Sequence, residues 1–133
     1  MPTAGSPTPS FLGSLRARQT VVVSSRDPDG EGQVRMWFAL SDSGRIYLLT
    51  PSFSLKARRW AKDPWVRLRA GGEIFEGRVE PVGPAEFGPD QPLLLERFAM
   101  AGAVTGEALQ WMLESGSHQL FQVVGAPPDR PET

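Results

Sequence analysis

The chain has no cysteine, one histidine and one tyrosine in 133 residues. Without cysteine it has no disulfides, no thiolate nucleophile and no thiolate-bound metal. His118 stands beside Ser117 with no acid cluster at metal-ligand spacing, which leaves neither a histidine-based zinc site nor a Ser-His-acid triad. A structural or solvent-exposed role in an edge strand is expected for it. No apolar run nears the ~20 residues of a membrane span. The first ten residues lack the basic and apolar segments of a secretory leader. The expectation is a cytoplasmic protein with no membrane partner. A net charge of −1 argues against general affinity for nucleic acid, which draws on a broadly basic surface. Neither a P-loop nor a Rossmann glycine pattern is present. Glu73, Glu76 and Glu80 read as the solvated face of a strand rather than an acid-base pair. A chain with so few catalytic groups is a binding protein or takes its chemistry from a cofactor.

What the chain does have is short alternating segments between turn formers. Strands are expected over 19–25, 33–41, 45–50, 65–70, 73–82 and 117–124. In the second, Val34, Met36, Phe38 and Leu40 share one face, and Arg35, Trp37 and Ala39 the other. Residues 26–32 read as a turn, Asp42-Ser43-Gly44 and Gly71-Gly72 as tight hairpins. Short helices are expected from Ser10 to Leu15, from a Ser54 cap to Lys62, from Pro92 to Ala101, and from a Thr105 cap to Ser115. Pro64 and Gly102 end two of them. The predicted fold is mainly β, a six-stranded antiparallel split β-barrel with a few helices; a two-sheet sandwich is the alternative. Residues 10–125 form its single domain, with disordered tails at 1–9 and 126–133.

One stretch stands out. Residues 50–69 hold six of the fourteen Lys and Arg residues and a single acid, Asp63. Lys56 falls in the first turn of the helix capped by Ser54, where free N–H groups and the macrodipole already present positive charge. A cation there invites an anion, and a phosphate suits the place. On charge alone, a solvated basic helix competes evenly with that reading. Of the four tryptophans, Trp60 and Trp65 read as core, whereas Trp37 lies on the polar strand face, where a flat cofactor or a subunit would meet it.

The order Met-Trp-Phe-Ala, Asp-Ser-Gly, Ile-Tyr-Leu-Leu-Thr, Ser-x-Lys-x-Arg-x-Trp-x-x-Asp-Pro-x-Val-x-Leu resembles the pyridoxamine 5′-phosphate oxidase-like split barrels, a superfamily of FMN- and deazaflavin-dependent reductases. The likeness spans roughly residues 21–82. It implies a homodimeric flavin-dependent oxidoreductase with FMN in clefts between subunits, a small-molecule substrate and a nicotinamide donor. It also implies a phosphate held by Thr50, Ser54, Lys56, Arg58 and Arg59. The ring would lie against the Arg35, Met36, Trp37 and Phe38 strand, and Trp111 or Phe121 of the partner would face it. A deazaflavin in place of FMN, or a non-catalytic carrier or sensor of flavin or haem, are the alternatives it leaves. The family often has proline where this chain has Met36, and many members have a further basic residue near Ser54.

Overall fold

The computed structural model describes residues 7–83 and 86–125; the expected tails at 1–6 and 126–133 lie outside them. In chain order the elements are α1 (Pro9–Arg16), β1 (Thr20–Asp27), β2 (Gly30–Trp37), β3 (Ala39–Leu40), β4 (Ile46–Pro51), α2 (Leu55–Lys62), β5 (Trp65–Ala70), β6 (Glu73–Pro81), α3 (Gln91–Phe98), α4 (Gly106–Glu114) and β7 (His118–Val124). The strands form one antiparallel sheet in the order β2-β1-β5-β6-β7-β4-β3. Its two outermost strands, β2 and β3, are separated in sequence by Phe38 alone, so the sheet curls back upon itself.

The expected strand over 33–41 is thus two strands, making seven rather than six. The chain changes neighbours at Phe38: Trp37 pairs with Thr20 of β1, and Ala39 already pairs with Tyr47 of β4. The carbonyl left outside both ladders accepts from Arg97 Nε of α3 at 3.0 Å, and the Arg97 guanidinium lies over the Phe38 ring. Satisfying that buried carbonyl is what allows the break.

The alternation places two cores. Ile46 and Leu48 of β4, with Phe121 and Val123 of β7, face a cluster containing Phe11, Leu15, Val21, Val23, Trp60 and Leu68. Tyr47, Leu49 and Leu120 face the opposite way, onto Leu94, Phe98, Leu109 and Met112 of α3 and α4. β4 and β7 are covered on both faces, which explains their nearly unbroken apolar runs. His118 therefore sits in an interior strand, between β6 and β4, and not at an edge. The Tyr47 hydroxyl, buried at this second core, donates to Asp90 Oδ2.

The helices follow their caps. Thr8, rather than Ser10, caps α1, accepting from Phe11 N–H with Pro9 in the first turn, so helix begins inside the expected tail. Ser54 caps α2 and Thr105 caps α4, each by accepting from the N–H three residues on. Gly102 closes the helical turn after α3 at φ 113°. Trp60 and Trp65 are core, as their positions suggested; Trp65 lies between the Arg26 and Arg67 guanidiniums, 4.9 Å from each.

The expected turn over 26–32 is also narrower. β1 runs to Asp27 and β2 starts at Gly30, leaving Pro28-Asp29 as a two-residue hairpin. The extension has a purpose in packing. Arg26, at the end of β1, donates to Asp63 through Nε and Nη2, and both residues are buried. Asp63 caps the C-terminus of α2 and also accepts from Trp65 N–H, so one carboxylate ties β1, α2 and β5 together.

Asp63→Asn keeps the shape of this junction and removes its charge. Breaking a buried pair in this way is expected to cost about 3–5 kcal/mol, measured as the loss of unfolding free energy in urea.

Candidate functional site

α2 lies across the end of β1 and faces β2 over a shallow groove of about 150 Å³, lined by Ser25, Gly32, Gln33, Val34, Leu55, Lys56 and Arg59. Its position is set at both ends of the helix. Arg26–Asp63 fixes the C-terminus, and Asp27 takes Arg59 through Nε at 3.0 Å and Nη2 at 2.9 Å. Gly32 makes room for the Arg59 guanidinium: a Cβ there would lie 2.5 Å from Arg59 Nη1. The Asp27 carboxyl is held below its ordinary value by the Asp29 N–H, assisted by Arg59 and the Gly30 N–H.

With Arg59 neutralised, Lys56 is the groove's free cation. It is half-buried, and among the described residues it has neither hydrogen bond nor ion pair. Burial alone lowers its pKa from the ordinary lysine value. It occupies the second position of α2, where the first backbone N–H groups have no partner within the helix. Ser54 takes two of the first turn's donors, the Ala57 N–H on its hydroxyl and the Arg58 N–H on its carbonyl. The Leu55 and Lys56 N–H groups are the two the helix leaves over. Charge, direction and exposure together suit this corner to an oxyanion.

The expected site residues separate into groups. Ser54, Lys56 and Arg59 come together at the groove. Thr50 is fully buried and bonds to Ser54 Oγ at 3.0 Å, so it orients the cap from below rather than meeting a ligand. Arg58 is exposed and lies outside the groove lining. Met36 packs partly into the core, and Phe38 is buried with its carbonyl engaged by Arg97. Arg35 and Trp37 project from the opposite face of β2 to Val34, Trp37 being 43% exposed. Trp111, 65% exposed on α4, is not among the groove residues. Phe121 packs edge-on against Trp60 within the core and is closed to a ligand.

Val34 and Leu55 were not expected here. Val34 was placed with the apolar face of its strand, yet it is 43% exposed, and Leu55, an apolar residue in the first turn of its helix, is 58% exposed. Their signal in the sequence was proximity, Leu55 adjoining Lys56 and Val34 lying one residue from Arg35. Phe53 adds a third exposed apolar side chain beside the α2 cap. Among the described residues β2, at the end of the strand order, also leaves one side of its backbone without a ladder partner. The groove therefore joins a cationic corner to an apolar rim and a line of backbone donors and acceptors.

No family model matches the chain, and no curated protein matches it by sequence. Solved structures do. A candidate pyridoxamine 5′-phosphate oxidase from Listeria innocua superposes with a TM-score of 0.63 at 19% identity, over 87% of this chain and 90% of that one. An FAD-binding protein from Mesorhizobium loti gives 0.58 at 15% identity, over 85% and 83%. An F420 reductase gives 0.53 at 19% identity, over 81% and 86%. The chain shares the fold of these proteins, a curled antiparallel sheet with a few helices, over most of its length. Among the described residues no helix is long and apolar enough to cross a membrane, and no group of acids and histidine is placed to hold a metal ion.

A buried ammonium without an anion destabilises the folded state. For Lys56 the penalty is complete below its lowered folded pKa and disappears as pH rises through that value toward the ordinary 10.5. At neutral pH, Lys56→Met is expected to leave the ligand-free protein as stable as the parent or more so. Phosphate added to millimolar levels should raise the parent's melting temperature by more than the variant's; differential scanning fluorimetry reads both.

Proposed function

We propose that the groove holds the phosphate end of a flavin, FMN being the preferred form, and that the protein is a flavin-dependent oxidoreductase. The observation that carries this reading is Lys56, half-buried in the first turn of α2 with no ion pair among the described residues. The neighbouring proteins with this fold, described as an FAD-binding protein and an F420 reductase, support a flavin-type ligand.

The residues present fit such a group. Lys56 and the Leu55 and Lys56 N–H groups would neutralise and orient the phosphate, and Ser54 would fix the turn beneath it. Arg59, already bonded to Asp27, supplies a second positive charge at the edge of the site. The unpaired side of β2 would meet the polar edge of the isoalloxazine, with Val34 and Trp37 at its margins. A bound flavin supplies two-electron redox chemistry that no side chain here could provide. The chain's contribution is binding, orientation and exclusion of water. The exposed apolar side chains of Val34, Leu55, Phe53 and Trp37 would be covered by a second copy of the chain, giving a homodimer with a ligand in each cleft. A small-molecule substrate and a nicotinamide donor would then share the remaining face of the ring.

A second reading keeps the site and exchanges FMN for a deazaflavin. It is favoured by the F420 reductase that shares the fold. Comparing the two dissociation constants separates the readings.

Lys56→Ala should weaken FMN binding by about 1.5–3 kcal/mol, the range of a charge-assisted hydrogen bond, by fluorescence titration. Riboflavin, which lacks the phosphate, should lose much less. Equal losses for the two would remove Lys56 from the phosphate site.

A further inference from the structure

The face of β2 opposite Lys56 carries a second concentration of positive charge. A cleft of about 290 Å³ is lined by Arg18, Thr20, Val22, Arg35, Arg69 and Gly71, three arginines and no acid. They arrive from separate places: Arg18 from the turn after α1, Arg35 from β2 and Arg69 from β5. The register explains the convergence. Val22 pairs with Arg35 on one side and with Arg69 on the other, so the two arginines flank it in one row of the sheet. Their backbones are two strand spacings apart, roughly 10 Å, within reach of side chains converging on one ligand.

Other arginines on this sheet are neutralised where these are not. One row away, Arg67 holds both Glu31 and Glu76. Arg26 has Asp63, and Arg59 has Asp27. Across from Arg69 stands Ile74 where the neighbouring row has Glu76. Among the described residues Arg69 has no hydrogen bond or ion pair, and the polar contacts of Arg35 and Arg18 are to neutral oxygens, Thr20 Oγ1 and the Ser14 carbonyl. Gly71, at φ 62°, brings Arg18 down onto the hairpin: a Cβ there would meet Arg18 Nη2 at 2.7 Å. Guanidinium groups present paired donors suited to phosphate oxygens.

We propose that Arg18, Arg35 and Arg69 form a second oxyanion site, separate from the Lys56 groove, that takes the phosphate or pyrophosphate group of a phosphate-ester ligand. The proposal does not rest on the flavin reading. Its position across β2 leaves both sites open to ligands of their own, and a phosphorylated substrate or donor is the chemistry it fits.

The test uses the full chain carrying Lys56→Gln, so that only the second site is read. Calorimetric titration with inorganic pyrophosphate at low salt is expected to give saturable binding of one equivalent. Adding Arg69→Gln should weaken it about tenfold or more, and Arg35→Gln should act likewise. Arg69 is exposed and unpaired, so its replacement should leave the circular dichroism spectrum and the FMN affinity of the Lys56-containing protein unchanged. Absence of saturable pyrophosphate binding would overturn the proposal, as would binding indifferent to both arginine substitutions. Saturation by a nucleic-acid oligomer alone would overturn it too.

Discussion

Two crossed ion pairs hold the architecture of the groove. Arg26 and Asp27 are adjacent at the end of β1, and each grips α2 by a residue of opposite sign, Asp63 and Arg59 respectively. The first pair is buried and the second partly so, which gives them different duties. Arg26–Asp63 joins helix end, sheet and the start of β5 in a place where neither charge could stand alone. Asp27–Arg59 is wetter, worth less in stability, and acts mainly on direction by turning a potentially competing cation toward β1. The helix is thereby fixed with its N-terminus over β2 and with Lys56 as the groove's unneutralised charge.

The edge strand β2 gains its importance from the same arrangement. Because the chain leaves β1 and joins β4 at Phe38, β2 is bonded on one side only among the described residues. One of its faces meets α2 through Gly32 and Val34, and the other carries Arg35 and Trp37. A ligand lying along the free edge can touch side chains of both faces without crossing the sheet. Solvation favours small anions at either end: near α2 the helix N-terminus adds to a desolvated lysine, and near β5 three guanidiniums share one cleft. Electrostatics of this kind is local, and a net charge of −1 for the chain is compatible with it.

Elements with a strong local signal were legible in the sequence. The Ser54 cap, the stop at Pro64, the Thr105 cap and the reversal at Gly102 all rest on interactions within a few residues, and all four are where local chemistry put them. What escaped was set by long-range partners. The split of the 33–41 strand depends on Arg97, distant in sequence and invisible to alternation. β1 and β2 extend through Asp27 and Gly30 because the Asp27 carboxylate organises the Pro28-Asp29 turn while holding Arg59. In the site, the sequence could assemble Ser54, Lys56 and Arg59 because they share one short helix. It could not tell that Arg59 is already paired, that Thr50 is sealed beneath the cap, or that Phe121 is spent on Trp60. The side-chain cluster of Arg18, Arg35 and Arg69 was equally hidden, since the register of three strands and the turn after α1 bring it together.

The account stands on Lys56 acting as the counter-ion of a bound phosphate. The most direct measurement is the ³¹P resonance of FMN, bound to the protein, followed from about pH 5 to pH 8. A free phosphate monoester titrates near pH ~6. Held by Lys56 and the first turn of α2, the phosphate should remain dianionic, and its resonance should stay flat through that range. A bound resonance that titrates like free FMN would contradict the account.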